Sequence, residues 1–178
     1  MKIRVDQIHR ERALSLVKEE AVEQFPTLVE LQETGDCRFL EPIHCDLALR
    51  REGDLIRLEG RVATRVALIC SCCLTEFAAD IDSPFTIIYS RQSGQMKDEE
   101  VELGEEDLIS VDYSGDEIDL APELAEQVAL EIPLKPLCRE GCLGLCSVCG
   151  ADLNAGECGC DRREVNLKFG ALKDLKIS

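Results

Sequence analysis

Eleven cysteines in a chain of 178 residues constrain this sequence more than any other feature, because so many thiols need a common chemical reason. Eight of them form four close pairs: Cys70-x2-Cys73, Cys138-x3-Cys142, Cys146-x2-Cys149 and Cys158-x-Cys160. Such pairs are either disulfides or metal ligands, and the redox compartment decides between them. The first ten residues, MKIRVDQIHR, lack the apolar stretch of a secretion signal, and no run of about 18 apolar residues could span a bilayer. The expectation is therefore a cytoplasmic chain with reduced thiols that hold metal.

Tetrahedral zinc takes four soft ligands at about 2.3 Å, and two thiolates two residues apart on a tight turn reach one ion without strain. Cys146-Ser147-Val148-Cys149-Gly150 has the form of a zinc knuckle, where Gly lets the backbone turn and aim amides at the sulfurs. Its nearest complement is Cys158-Gly159-Cys160, so these four are assigned to one site. Cys70, Cys73, Cys138 and Cys142 would form a second site across 64 intervening residues, stapling the middle of the chain to its C-terminal part. Two zinc ions per chain are expected. Cys37 and Cys45 have no close partner and read as small buried hydrophobes, Cys72 lies inside a pair, and neither His9 nor His44 is needed as a ligand.

Competing chemistry finds little support. Cys142-x3-Cys146-x2-Cys149 matches the spacing that holds an iron-sulfur cluster in radical-SAM enzymes, but that chemistry needs a large barrel after the motif, and only 29 residues follow Cys149. Iron on four thiolates, as in a redox module, shares the zinc spacing and stays open as the alternative. There is no Gly-rich phosphate loop, no nucleophile elbow and no His placed to serve a cysteine nucleophile, so no enzyme is expected.

The pattern between 43 and 90 has period two. Ile43, Cys45, Leu47 and Leu49 share one strand face, Glu52-Gly53-Asp54 makes a turn, and Ile56, Leu58, Val62, Val66 and Leu68 share the face of a second strand. Further strands are expected over 2–8, 75–81 and 84–90, and a helix over 10–24. Asp119 is placed to cap an amphipathic helix over 119–132, with Pro122 in its first turn and Pro133 ending it. Residues 163–176 give a weakly patterned apolar tail. The expected fold is α+β: a small antiparallel β-sheet over 1–90, an acidic loop or linker over 91–118, and over 119–178 an amphipathic helix with a cysteine-rich zinc-binding segment stapled to the sheet.

Charge bears on partners. The formal charge of -16 comes almost wholly from residues 98–131, which carry 14 acidic side chains and no Lys or Arg. That one-signed run suits attraction of a basic partner. Arg57, Arg61 and Arg65 share the wet face of the second strand and could form a stripe for phosphate, but Glu59 interleaves with them and a solvated strand face is the better account. With no Trp, 5 Phe and 2 Tyr, stacking of nucleic-acid bases is disfavoured.

Taken together, CSCCLTEF at 70–77, GDEIDLAPELAEQVALEIPLKPLC at 115–138, CLGLCSVCGADLN at 142–154 and CGC at 158–160 resemble the YceD family of large ribosomal RNA subunit accumulation proteins. The resemblance runs from about residue 45 to the C-terminus. It implies a non-enzymatic factor for synthesis, processing or stability of large-subunit ribosomal RNA, and it maps the family's eight cysteines onto Cys70, Cys73, Cys138, Cys142, Cys146, Cys149, Cys158 and Cys160. The family pattern has Arg or a similar residue where this chain has Cys72, which leaves open which of Cys70, Cys72 and Cys73 bind metal. Eight thiolates with two Zn2+ would make the chain more negative still. The expected partner is therefore a large-subunit ribosomal precursor or a basic ribosomal protein, with direct RNA contact secondary, and with neither membrane nor small-molecule substrate.

Overall fold

A computed structural model describes residues 1–35, 37–91 and 110–161. Its strands are β1 (Lys2–Arg4), β2 (Leu14–Glu20), β3 (Arg38–Phe39), β4 (Ile43–Glu52), β5 (Leu55–Ile69), β6 (Glu76–Arg91), β7 (Ser110–Tyr113) and β8 (Glu117–Asp119). The helices are α1 (Pro26–Thr34) and α2 (Ala121–Glu131). The main sheet runs β2-β4-β5-β6-β7 with β3 also on β5, and β1 pairs with β8 in a separate ribbon. Each of these pairings is antiparallel except β6 with β7, which is parallel, so the sheet is mixed and larger than the antiparallel sheet expected.

The sheet is organised by the alternation in β4 and β5. Ile43, Cys45, Leu47 and Leu49 of β4 and Ile56, Leu58, Val62, Val66 and Leu68 of β5 are all buried, as period two requires of a face turned to the core. They join Phe25 at the start of α1, Leu28 within it, and Leu124, Ala125 and Val128 of α2, in one cluster. On the opposite face the three arginines each meet a carboxylate: Arg57 with Glu52 at 3.0 Å, Arg65 with Asp80 at 3.6 Å, and Arg61 with Asp82 through both oxygens. Exposed pairs of this kind add little stability. Their effect here is to engage the cations that a phosphate stripe would need.

Four local expectations change. Residues 10–24 are not a helix: Leu14–Glu20 is a strand, because pairing with β4 along its whole length outweighs the helix preference of KEEAVEQ, and the half-buried Leu14 and Leu16 alternate. The strand expected over 2–8 stops at Arg4 and continues as a 3-10 turn, Val5–Gln7. The break expected at Asp82-Ser83, between strands over 75–81 and 84–90, is absent, and β6 runs unbroken from Glu76 to Arg91. Pro84 is tolerated because it faces Arg61 across the ladder, while β7 reaches β6 only from Ile88 to Arg91. Within the stretch read as an acidic linker, Ser110–Tyr113 and Glu117–Asp119 are strands. Residues 92–109 and the tail over 163–176 lie outside the described residues.

The helix expected over 119–132 is α2, with Asp119 accepting the Ala121 amide at 3.1 Å. Leu120 also donates its amide to the Met1 carbonyl at 2.8 Å, fixing α2 to the β1/β8 ribbon. Opposite Gly60 of β5 the space of a side chain is already filled. A Cβ there would lie 2.7 Å from Leu47 Cδ2 and 2.8 Å from a ring carbon of Phe85. Gly60→Val, though it raises strand propensity, is expected to destabilise the fold by about 1–3 kcal/mol through overpacking, read as a shift of the denaturation midpoint at unchanged m-value.

Candidate metal centres

The turn joining β5 to β6 carries Cys70 and Cys73, so the first knuckle sits at the tip of the sheet's longest hairpin. Within it the Cys70 amide bonds the Thr75 carbonyl at 3.0 Å, and the Leu74 amide bonds the Cys70 carbonyl at 2.9 Å. The second knuckle repeats this turn residue for residue: Cys146 amide to Ala151 carbonyl at 2.8 Å, and Gly150 amide to Cys146 carbonyl at 2.8 Å. The residue after the second cysteine is left-handed in both, Leu74 at φ 60° and Gly150 at φ 73°. Gly accepts that backbone freely, whereas Leu holds it at a cost of about 1–2 kcal/mol.

After α2 the chain returns to the hairpin tip, where the Ser71 amide donates to the Pro136 carbonyl at 2.8 Å. This brings Cys138 and Cys142 to Cys70 and Cys73, and the four sulfurs lie within 4.8 Å of one another. Cys146, Cys149, Cys158 and Cys160 form a second group under the same limit. The distances Cys70 Sγ to Cys142 Sγ and Cys73 Sγ to Cys138 Sγ are both 3.7 Å. A disulfide needs about 2.05 Å, whereas sulfurs about 2.3 Å from a common tetrahedral centre lie about 3.8 Å apart. The donor set thus fits one thiophilic ion per group, and none of the cysteines among the described residues is in a disulfide.

Electrostatics point the same way. Backbone amides of Cys138, Cys73 and Cys72 directed at Cys70 hold its thiol down to about 6, and those of Cys149 and Val148 hold Cys146 down to about 6, from an ordinary 9.0. The Thr75 hydroxyl and amide lower Cys73 as well. Removal from water and the neighbouring thiols push Cys138 up to about 12, and the thiols Cys149 and Cys158 push Cys160 up to about 12. Each group therefore contains a sulfur ready to ionise and one that resists a further negative charge beside it. A divalent cation held by the four sulfurs would remove that resistance and favour the thiolate at each.

Cys72 settles outside both groups, with its side chain exposed. Its backbone nevertheless joins the centres: its carbonyl accepts the Leu145 amide at 3.1 Å. Gly144, at φ 71°, passes so close that a Cβ would lie 2.9 Å from that same oxygen. A second link runs through Asn154, whose Nδ2 donates to Cys142 Sγ at 3.5 Å while its Oδ1 accepts the Leu143 amide at 2.9 Å. Thr75, Gly144 and Asn154 are supporting residues that the cysteine spacing alone does not single out. Cys37 and Cys45 lie in the hydrophobic core, where burial pushes the Cys45 thiol up to about 11. His44 stands 3.9 Å from Glu19, and neither histidine belongs to a thiol group.

Residues 58–176, which include both thiol groups, match the family model described as large ribosomal RNA subunit accumulation protein YceD. The chain belongs to the YceD family. Among similar proteins, the large ribosomal RNA subunit accumulation protein YCED homolog 1, chloroplastic, of Arabidopsis thaliana is 28% identical over 156 residues, covering 76% of this chain and 49% of its own length. The protein of that name from Zea mays is 25% identical over 150 residues, 70% of this chain and 50% of its own. An uncharacterised protein of Mycobacterium leprae is 28% identical over 112 residues, 63% of this chain and 49% of its own. The chain thus spans about half the length of these relatives. No solved structure matches it. Among the described residues no helix is long and apolar enough to cross a membrane.

Two outcomes are expected. Gly144→Ala forces a side chain into the left-handed region against the Cys72 carbonyl and lowers stability by at least about 1–2 kcal/mol in thermal melts. For pH, Cys70 and Cys146 have folded values of about 6 below their ordinary 9.0, so the preference of the folded state for thiolate is complete above about 9 and lost as pH falls through about 6. Protein loaded at pH 7 should keep its metal on dialysis at that pH and release it on acidification below about 6, followed with a chromogenic chelator.

Proposed function

We propose that the protein is a non-enzymatic, zinc-containing cytoplasmic factor that supports synthesis, processing or stability of large-subunit ribosomal RNA. The observation that carries the structural half of this reading is the closure of both thiol groups. Each offers four cysteine donors from the chain itself, so a tetrahedral ion there has no open position for substrate or water. Zinc in such a site supplies folding energy and not catalysis. Cys70, Cys73, Cys138 and Cys142 would hold one ion and lock the segment after α2 to the β5/β6 hairpin. Cys146, Cys149, Cys158 and Cys160 would hold the other within a short loop.

The ribosomal half rests on the family and on what the chloroplastic relatives are named for. Charge narrows the mode of action. A chain at -16 repels phosphates, and Arg57, Arg61 and Arg65 are each beside a carboxylate. A basic protein of the large-subunit precursor is the better electrostatic match, with direct RNA contact the weaker mode.

Elemental analysis of protein purified without added metal should give about two zinc per chain, and lowering the protein in cells should reduce large-subunit relative to small-subunit ribosomal RNA. Iron with visible absorbance would replace this reading with a redox module. An unchanged ribosomal RNA ratio would remove the ribosomal role.

A further inference from the structure

Among the described residues, most large exposed apolar side chains lie around the end of α2 and on the segments bearing the cysteines. Ile69, Leu130, Leu134 and Leu137 are 54%, 71%, 101% and 43% exposed. Ile69 and Leu134 line a groove of about 390 Å³ together with Leu31, Ala129, Ile132 and Pro136. The groove lies where α1 and α2 both finish, since Leu31 and Gly35 come from the end of α1 and Ala129, Ile132 and Pro133 from the end of α2. Contiguous apolar surface of this sort on a soluble chain marks a place of contact.

The electrostatic setting selects the occupant. A helix C-terminus carries about half a negative charge, and two of them meet here. Neither helix has a basic residue in its last turn to offset that charge. Instead α1 presents exposed Glu30 and Glu33, and α2 exposed Glu126 and Glu131, and neither helix contains Lys or Arg. The cations near the groove are Lys135, exposed to solvent, and Arg38 beyond the end of α1, which is paired with Glu76 at 2.9 Å. An apolar trough with negative helix ends fits an apolar side chain flanked by Lys or Arg, and it repels a nucleic-acid backbone.

Leu134 adds preorganisation. It projects fully into solvent from a stretch bracketed by Pro133 and Pro136, whose φ angles are fixed, and the Pro136 carbonyl is tied to the Ser71 amide at 2.8 Å. A backbone held in this way lowers the ordering cost of meeting a partner, leaving chiefly the rotamer freedom of the leucine itself to be lost.

We infer that this groove, with Leu134 as its anchor, is the docking site for a Lys/Arg-flanked apolar segment of a basic ribosomal protein. The inference deepens the proposed function and rests on its premise that the partner is a basic protein. Leu134 in the full chain is replaced by the photo-cross-linking residue benzoylphenylalanine, the metal-loaded protein is irradiated with large-subunit precursors, and the joined peptides are mapped by mass spectrometry. The expected product is a Lys/Arg-rich ribosomal-protein segment joined at or beside an apolar residue. In parallel, Leu134→Asp should weaken co-sedimentation with the precursors about tenfold or more at low salt. Val17→Asp, on the 64% exposed position of β2, should leave it unchanged, and both variants should keep wild-type metal content and melting temperature.

Cross-links to RNA, to a second copy, or to residues 163–178 of the same chain would overturn the inference, as would Leu134→Asp binding at wild-type strength. The ribosomal reading would survive any of these. A wild-type protein that neither co-sediments with the precursors nor cross-links to any ribosomal protein would overturn both.

Discussion

Four thiols packed at one point repel the charges they must carry, and this constraint governs how the two halves of the molecule are joined. The hydrophobic core explains why β4 and β5 pair and why α1 and α2 cover them. Among the described residues it does not extend beyond Ile132, and Leu134, Leu137 and Leu143 are all exposed. Beyond that point apolar burial gives way to hydrogen bonds around sulfur, such as Ser71 to Pro136 and Asn154 to Cys142. Sulfurs 3.7 Å apart are too far for a covalent bond and spaced for a shared ion. The sulfur geometry of the C-terminal segment therefore fits one shared cation in each group.

The two knuckles show one local solution built from different residues. Cys70 to Thr75 and Cys146 to Ala151 share the same pair of backbone hydrogen bonds. Gly150 meets the left-handed requirement directly, and Leu74 meets it under strain with its side chain 64% exposed. Packing gives no account of a leucine at that position. The surrounding thiolate turn over-determines the backbone strongly enough for the strain to persist.

Much of this was legible in the sequence for physical reasons that differ from place to place. The grouping of the thiols follows from spacing, since a tight turn brings two sulfurs to one point whatever the rest of the fold does. β4 and β5 were legible because one face is buried along their length, which imposes period two. β2 was not, because an edge strand with one half-buried side carries only Leu14 and Leu16 as signal amid helix-favouring residues. α1 carries signals that went unread, Pro26 in its first turn and Gly35 at φ 84° after its end, but it has a single fully buried residue, Leu28, and so almost no apolar stripe. β7 and β8 are short and take their place from neighbours: β7 from β6, and β8 from β1 at the other end of the chain. Cys72 was ambiguous because its side chain has no role in either group; its contribution is a carbonyl, to which residue type is nearly blind.

The chain order of the first thiol group sets a sequence of events during synthesis. Cys142 lies 72 residues after Cys70, and Cys138 lies 65 after Cys73. The hairpin tip is made long before the residues that complete its tetrahedron, and until then it presents an unfinished pair of sulfurs without the Cys138 amide that helps to lower the Cys70 thiol in the finished fold. The second group, by contrast, spans only Cys146 to Cys160 and emerges almost at once. A growing chain therefore holds half a binding site in waiting while the 65 residues from Cys73 to Cys138 are added, and the hairpin tip is sealed only after the chain has passed through α2.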